Sequence, residues 1–402
     1  MKNDESLAVP GLQNPADKRP ALWMLSLITL VASMSMHIFV PALPAVASQF
    51  ATSASFAQMT LTTYIAGMGA GQLIYGPLSD RYGRRPVLIC GMSMFTLASL
   101  LAFIAPNIGL LIFARLIQGL GAGAGLVLGR AIVRDCHVGE QATRMLALLN
   151  LFLLVAPGLS PFVGSLLSEN FGWRSIFAML LTIGCINMAI TLFLLRETIH
   201  KREPSFRAVL ADYRVLFKSM AFIRYSIAGA CTSTSIYAFI SVSPFIFVHQ
   251  LHRSFHEIGL YLALNIAGMA LGSFTTRSLI GRVPGQKILR YGNLLSCLAA
   301  AAFCAVALSG TLALWNVIIT MFFFTMGAGL VSPITLSRAL NVNPHVAGSS
   351  SGFYGFLQQI SGAICTALST LGSDHAIAAG ITMLVAVIVA QICLTPQKHS
   401  QV

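Results

Sequence analysis

Gly76-Pro77-Leu78-Ser79-Asp80-Arg81-Tyr82-Gly83-Arg84-Arg85-Pro86 is a charged stretch set between two long apolar ones. Lipid tails offer no partner to a carboxylate or a guanidinium, so these residues must lie in water at a membrane surface. The glycines and prolines make the stretch a tight turn between two closely packed helices. Working outward, the 402-residue chain is 56% hydrophobic and only 9% charged, with a mean hydropathy of +0.79. A soluble domain carries about 25% charged residues. A span needs about 20 mainly apolar residues. Twelve segments qualify, near 22–44, 56–77, 86–105, 108–130, 145–167, 175–195, 223–248, 257–279, 287–308, 312–335, 347–371 and 375–395. The expected fold class is an all-α integral membrane protein with twelve transmembrane helices.

The net charge of +13 could suggest nucleic acid, but its placement argues against that. With the N-terminus inside, every Lys and Arg except Arg115, Arg174 and Arg253 falls on the cytoplasmic side. That is the positive-inside pattern, and it puts both termini in the cytoplasm. Residues 1–20 hold Pro10, Pro15 and Pro20 and lack the apolar core of a signal peptide, so span one itself directs insertion. The eight cysteines form no CxxC pair, and neither a disulfide framework nor a zinc site is expected.

The long polar insertion at 196–222 divides the spans six and six. The expected organisation is a cytoplasmic tail (1–20), an N-terminal six-helix bundle (21–195), a cytoplasmic loop (196–222), a C-terminal six-helix bundle (223–395) and a short tail (396–402). A faint repeat, Gly76 with Arg81 and Gly272 with Arg277, suggests duplication, which is common in secondary transporters. No phosphate-binding GxxxxGK[ST] occurs, and no HExxH or GxSxG pattern stands in the right context, so no cofactor and no enzymatic activity are expected. Gly119 to Gly125, glycine at every second position, lies inside an apolar span and reads as close helix packing.

Several of these stretches resemble the major facilitator superfamily. The turn at 76–86 resembles its motif A. The resemblance implies that Gly76, Asp80, Arg81, Gly83, Arg84 and Arg85 form a cytoplasmic gate; the plainer alternative is a topology anchor. Arg115, Gln118, Gly119 and Gly121 resemble motif B. Ala156-Pro157-Gly158-Leu159-Ser160-Pro161-Phe162-Val163-Gly164 resembles the antiporter motif C. It takes the form found in bicyclomycin/chloramphenicol-type (Bcr/CflA-like) drug:proton antiporters. Gln118, Gly119, Pro157, Pro161 and Gly164 are then helix-packing residues. Pro41 to Pro44, Arg130 to Asp135, Phe171 to Arg174 and Ser243 to Phe245 extend the likeness along the chain. The implied fold is two pseudo-symmetric six-helix bundles about a central site.

One position departs from the subfamily. The resemblance implies an Asp four residues before Pro41; here it is His37. The acids stand at 4, 5, 17, 80, 135, 140, 169, 197, 203, 212, 257 and 374, none of them mid-membrane. His37 is therefore the candidate for proton coupling, since imidazole changes charge near neutral pH; a structural histidine bonded to a neighbouring helix is the alternative. Arg115 is the candidate substrate or state-dependent partner, and both residues are expected to face one cavity. Tyr64, Asn150, Tyr237, Phe239, Gln358 and Gln359 are candidate substrate contacts. With no buried acid, a neutral or anionic amphiphile is favoured over a lipophilic cation. Met34 and Met36 read as soft cavity wall or core, and His249, His252 and His256 as interfacial residues rather than metal ligands.

The expected activity is proton-coupled export of a small amphipathic drug or metabolite by alternating access. The implied setting is a bacterial inner membrane, and the implied partners are the small molecule, protons and lipids, with a monomeric protein. A carrier for an anionic metabolite or siderophore, importing or uncoupled, remains open. A non-transporting receptor or a membrane enzyme has less in the sequence to recommend it.

Overall fold

The computed structural model describes residues 20–137, 139–198, 206–342, 347–371 and 374–395. Twelve long helical elements match the twelve expected spans. They are α1 (Leu22–Gln49), α2 (Ala54–Tyr82), α3 (Arg84–Phe103), α4 (Ile108–Cys136), α5 (Gly139–Phe171), α6 (Arg174–Leu194), α7 (Met220–Val248), α8 (Phe255–Leu279), α9 (Gly285–Leu308), α10 (Leu314–Val342), α11 (Ala347–Leu368) and α12 (His375–Leu394). A separate linker helix spans Phe206–Lys218. Among the described residues, nine of the twelve are long and apolar enough to cross a membrane on composition alone. Of the other three, α2 and α11 carry Ser, Thr, Gly and Gln instead of aliphatic residues, as suits helices that face protein more than lipid. Phe193, Phe274, Leu97, Trp315 and Ile392 point outward, as side chains solvated by lipid should.

Side-chain caps start several helices. Ser53 accepts from the Phe56 amide, Asn107 from Leu110, and Asp374 from Ala376 and Ile377. The α2 helix runs on to Tyr82 through Pro77, about five residues past the expected end, so most of the opening stretch is helical. The reversal is made at Gly83, whose φ of +101° suits a residue without a Cβ. In α1 the Pro41 and Pro44 pair interrupts the helix with a short 3₁₀ turn at Val40–Ala42, just after His37. Proline at 41 cannot donate to the carbonyl four residues back, so the helix is weakened where His37 sits.

The twelve helices form two bundles, α1–α6 and α7–α12, built on matching contacts. In the first, Gly67 lets α2 close onto the Leu116 carbonyl and Leu120 amide of α4. In the second, Gly268 lets α8 close in the same way onto the Phe322 carbonyl of α10. Gly121 meets the Gly91 carbonyl and Phe95 amide; Gly327 meets the Gly292 carbonyl and Ser296 amide. This corrects the sequence repeat. Gly272, at the Met326 carbonyl, is the counterpart of Gly71, at the Leu120 carbonyl, whereas a Cβ at Gly76 would meet nothing within 4 Å. The duplication survives in backbone packing, which needs small residues at fixed depth. The basic loop signature it was first read from does not carry it.

Candidate functional site

A cavity of about 570 Å³ lies between the two bundles, within the range typical of small-molecule sites. Its deep end is formed by His37 of α1, Pro161 of α5, and Tyr237 and Ile240 of α7. Gln358 and Gln359 of α11, Asn265 of α8 and the side chains of Met36, Met68 and Met269 line the middle. Arg130 and Arg134 of α4, Leu146 of α5 and Leu336 and Leu340 of α10 line the other end. Exposure rises along this path: His37 and Ile240 are buried, and Arg134 and Leu336 are exposed. The cavity therefore opens on the face that carries both ends of the described chain. At the opposite face the bundles are joined, with Ser55 Oγ of α2 donating to the Thr370 carbonyl beyond α11 at 3.0 Å.

His37 Nδ1 lies 2.8 Å from the Ser33 carbonyl. A carbonyl only accepts, so Nδ1 carries the proton and Nε2 is left to take another. The ring meets Tyr237 edge-on at 6.3 Å, which bridges α1 and α7 across the cavity. Beside it, Gly164 of α5 leaves room for the Ile38 carbonyl, so the Pro157 to Gly164 segment packs directly on the His37 turn. Pro157 and Pro161 both line the cavity. Gln358 Nε2 donates to Ser233 Oγ at 3.0 Å, tying α11 to α7. No carboxylate lines the cavity among the described residues.

Arg115 is placed elsewhere, and the expectation of one chamber shared with His37 is corrected. Its side chain is 0% exposed and does not reach the cavity. The guanidinium donates to Gln118 Oε1 at 2.6 Å, to the Ser35 Oγ and carbonyl at 3.2 and 3.3 Å, and to the Thr60 carbonyl at 3.4 Å. It stacks on Tyr64 at 4.1 Å, with Phe39 at 5.0 Å and Phe177 at 5.9 Å. Gln118 passes the chain on to Ser99 of α3 at 2.8 Å. The charge is thus held by carbonyls and ring faces, without a counterion among the described residues. The reason is rotational: Ser35 and His37 are two residues apart on α1, about 200° around the helix, so they address opposite sides.

Tyr64 and Phe239 also leave the contact set. The Tyr64 hydroxyl donates to the Ala32 carbonyl at 2.7 Å within the Arg115 cage. Phe239 sits edge-on to Phe247 and Phe303 inside the second bundle. The side chain of Asn150 lies outside the described residues, as do those of His249 and His256. Gly119 packs on the backbone of Tyr64. Sequence reading missed Arg130, Arg134, Gln72 and Asn265 as cavity residues. The first two are visible in the sequence as charges near the end of a span, but which way they face is not.

The motif A residues form a cluster within the first bundle. Arg84 pairs with Asp80 at 2.5 Å and with Asp135 of α4 at 2.9 Å. The Glu197 carboxylate accepts the Arg84 and Arg85 amides at 2.9 and 3.2 Å, so an acid caps the positive end of α3. Arg85 donates to the Leu192 carbonyl at 2.7 Å, and Arg81 lies over its neighbour Tyr82. Asp80 pairs with Arg84, and Glu197 takes the helix end. The bundles are bridged at this face by the linker helix. Tyr213 Oη donates to the Leu73 carbonyl of α2 at 3.0 Å, and its ring packs on Phe353 of α11. Asp212 accepts from Ser349 of α11 at 3.0 Å. Burial, with Asp212 and Asp80 nearby, pushes the Tyr213 hydroxyl up to about 12, so it keeps the proton it donates.

The sequence pattern of the Major Facilitator Superfamily matches residues 25–366. An uncharacterized MFS-type transporter of Bacillus subtilis, YdgK, is 31% identical, with 97% of this chain and 99% of that protein aligned. Multidrug resistance protein D of Escherichia coli is 30% identical, over 87% and 88% of the two chains. A chloramphenicol resistance protein of Pseudomonas aeruginosa is 31% identical, over 82% and 79%. Among solved structures, a D-xylose-proton symporter superposes with a TM-score of 0.70 at 13% identity, covering 92% of this chain and 96% of the other.

Proposed function

This chain belongs to the major facilitator superfamily and is a multi-pass membrane transporter, not an enzyme, and on that premise we propose that it exports a small amphipathic compound, neutral or anionic, in exchange for protons. The relatives named for multidrug and chloramphenicol resistance support an amphipathic drug as cargo. The observation that carries the reading is the composition of the central cavity. Among the described residues, His37 is the only one in its wall that ordinarily titrates near neutral pH, and none of them brings a carboxylate to attract a cation. His37 takes the proton that an acid would otherwise take, and Tyr237 and Gln358 contact the cargo. The distribution of Lys and Arg supports a bacterial inner membrane location with both termini cytoplasmic. The open end of the cavity then faces the cytoplasm. The bundles at 21–195 and 223–395 rock about the cavity, with the motif A cluster holding the cytoplasmic ends of α2, α3, α4 and α6 as one unit.

Proteoliposomes carrying a pH gradient test this. Addition of chloramphenicol to the wild type should dissipate the gradient. His37→Ala should abolish that proton movement while chloramphenicol still binds. Gradient-driven transport that is the same in His37→Ala removes the assignment. The alternative of an uncoupled or importing carrier for an anionic metabolite is favoured by Arg130 and Arg134 in the cavity wall. Substrate movement with no pH change in the wild type would select it.

A further inference from the structure

The mouth of the cavity holds two guanidinium groups, Arg130 and Arg134. Arg130 and Arg134 are one helical turn apart on α4, and both line the wall. The Arg130 Nε is buried and has no hydrogen-bond partner among the described residues. The acid nearest in sequence, Asp135, is already engaged by Arg84 at 2.9 Å and by the Thr198 hydroxyl at 3.4 Å. A guanidinium with a buried, unpaired N–H is costly, and the cost is recovered when an anion accepts from it. Deeper in the cavity the wall carries no further charge and offers an apolar side, Leu126, Met36, Met68 and Met269, beside the amides of Gln72, Asn265, Gln358 and Gln359.

We propose that Arg130 and Arg134 form an anion-binding subsite that takes the carboxylate or phosphate-type head of an amphipathic substrate, whose apolar part lies toward the methionines. This rests on the transport reading above and deepens it by naming the charge of the cargo and the residues that meet it. Arg115 does not line the cavity, being held by Ser35 and Gln118, and takes no part. Arg134 near the last turn of α4 also complements the helix dipole, but that role does not require Arg130 to sit unpartnered in the wall.

The test uses the full chain in nanodiscs of phosphatidylcholine and a matched pair of probes. One is neutral chloramphenicol; the other is its succinate monoester, which adds a single carboxylate. Arg130→Gln should weaken ester binding by about tenfold or more, the scale for removing one partner of a buried charged contact. Chloramphenicol affinity should change by less than about threefold, which also reports that the variant is folded. Arg130→Lys should recover part of the ester affinity, since it keeps the charge but loses the fork. Equal losses for both probes, or an ester that fails to bind the wild type, overturn the subsite. So does loss of ester binding when phosphatidylglycerol is added to the discs, because the groove would then hold a lipid headgroup. A protein that binds chloramphenicol with proton exchange but ignores the ester sinks this subsite and leaves the transport reading intact. A protein that binds the ester but moves no protons does the reverse.

Discussion

At the scale of single residues, Arg115 and His37 show two ways to keep a polar group inside a membrane. A guanidinium in a span costs at least about 2.5 kcal/mol on insertion scales and stays charged. Arg115 meets that cost with carbonyls, an amide and three ring faces contributed by α1, α2, α4 and α6. It therefore acts as a clamp on the first bundle. Arg115→Met should strand the Gln118, Ser35 and Thr60 acceptors, each costing about 1–3 kcal/mol. The expected result is a lower thermal unfolding midpoint, with transport of neutral and anionic cargo lost in equal proportion. A selective loss of anionic cargo with unchanged unfolding would contradict the clamp. Motif B spacing made Arg115 legible as a buried functional charge, but its side of the helix was not legible. Spans that are apolar toward both lipid and protein carry little amphipathic signal, so the rotation of each helix is hidden from the sequence. That is why Tyr237 reaches the cavity and Phe239, two residues on, does not.

Among the elements, the spans are readable as apolar stretches of bilayer length, nine of the twelve helices qualifying on length and hydropathy alone among the described residues. Their ends were less readable. The charged stretch after Gly76 looked like a turn, but helix α2 carries it out of the membrane as far as Tyr82. Glu197 was even less visible, because its partners lie 113 residues away along the chain, at the Arg84 amide. A Cβ at Gly83 would strike the Glu197 carboxylate, and the φ of +101° disfavours any side chain. Gly83→Ala should therefore destabilise the protein by about 1–2 kcal/mol. Glu197→Gln, which keeps the amide contacts but weakens their charge assistance, should cost less. Unfolding curves of the two variants in nanodiscs check the order; a larger loss for Glu197→Gln would place the weight on charge instead of backbone shape. Gly119→Val probes the deeper contact, since its side chain would meet the Tyr64 backbone. Overpacking of this kind costs about 1–3 kcal/mol or more, and Tyr64 also belongs to the Arg115 cage. Transport and stability should therefore fall together.

For the whole molecule, the decisive asymmetry is that one end of the central cavity is exposed and the other is shut. Duplication in sequence could only suggest two halves; which face they open on depends on contacts between helices distant along the chain. Ser55 and Thr370 meet across the bundle boundary at the closed face, 315 residues apart in sequence, with hydroxyl and carbonyl 3.0 Å from each other. Alternating access requires this contact to break once per cycle. A disulfide there would hold the closed face shut, because a covalent bond cannot be offset by the few kcal/mol that separate the two states. With the eight native cysteines replaced, Ser55→Cys combined with Thr370→Cys should cross-link on mild oxidation. Export from vesicles should then fall to background and return on reduction. Each single variant should be insensitive to oxidant. The locked protein should still bind chloramphenicol from the face where the described chain begins and ends, since His37, Tyr237 and Gln358 remain reachable through the open end. Full export by a quantitatively cross-linked protein would mean that the two bundles do not part at α2 and α11, and the cavity would then have to empty by another route.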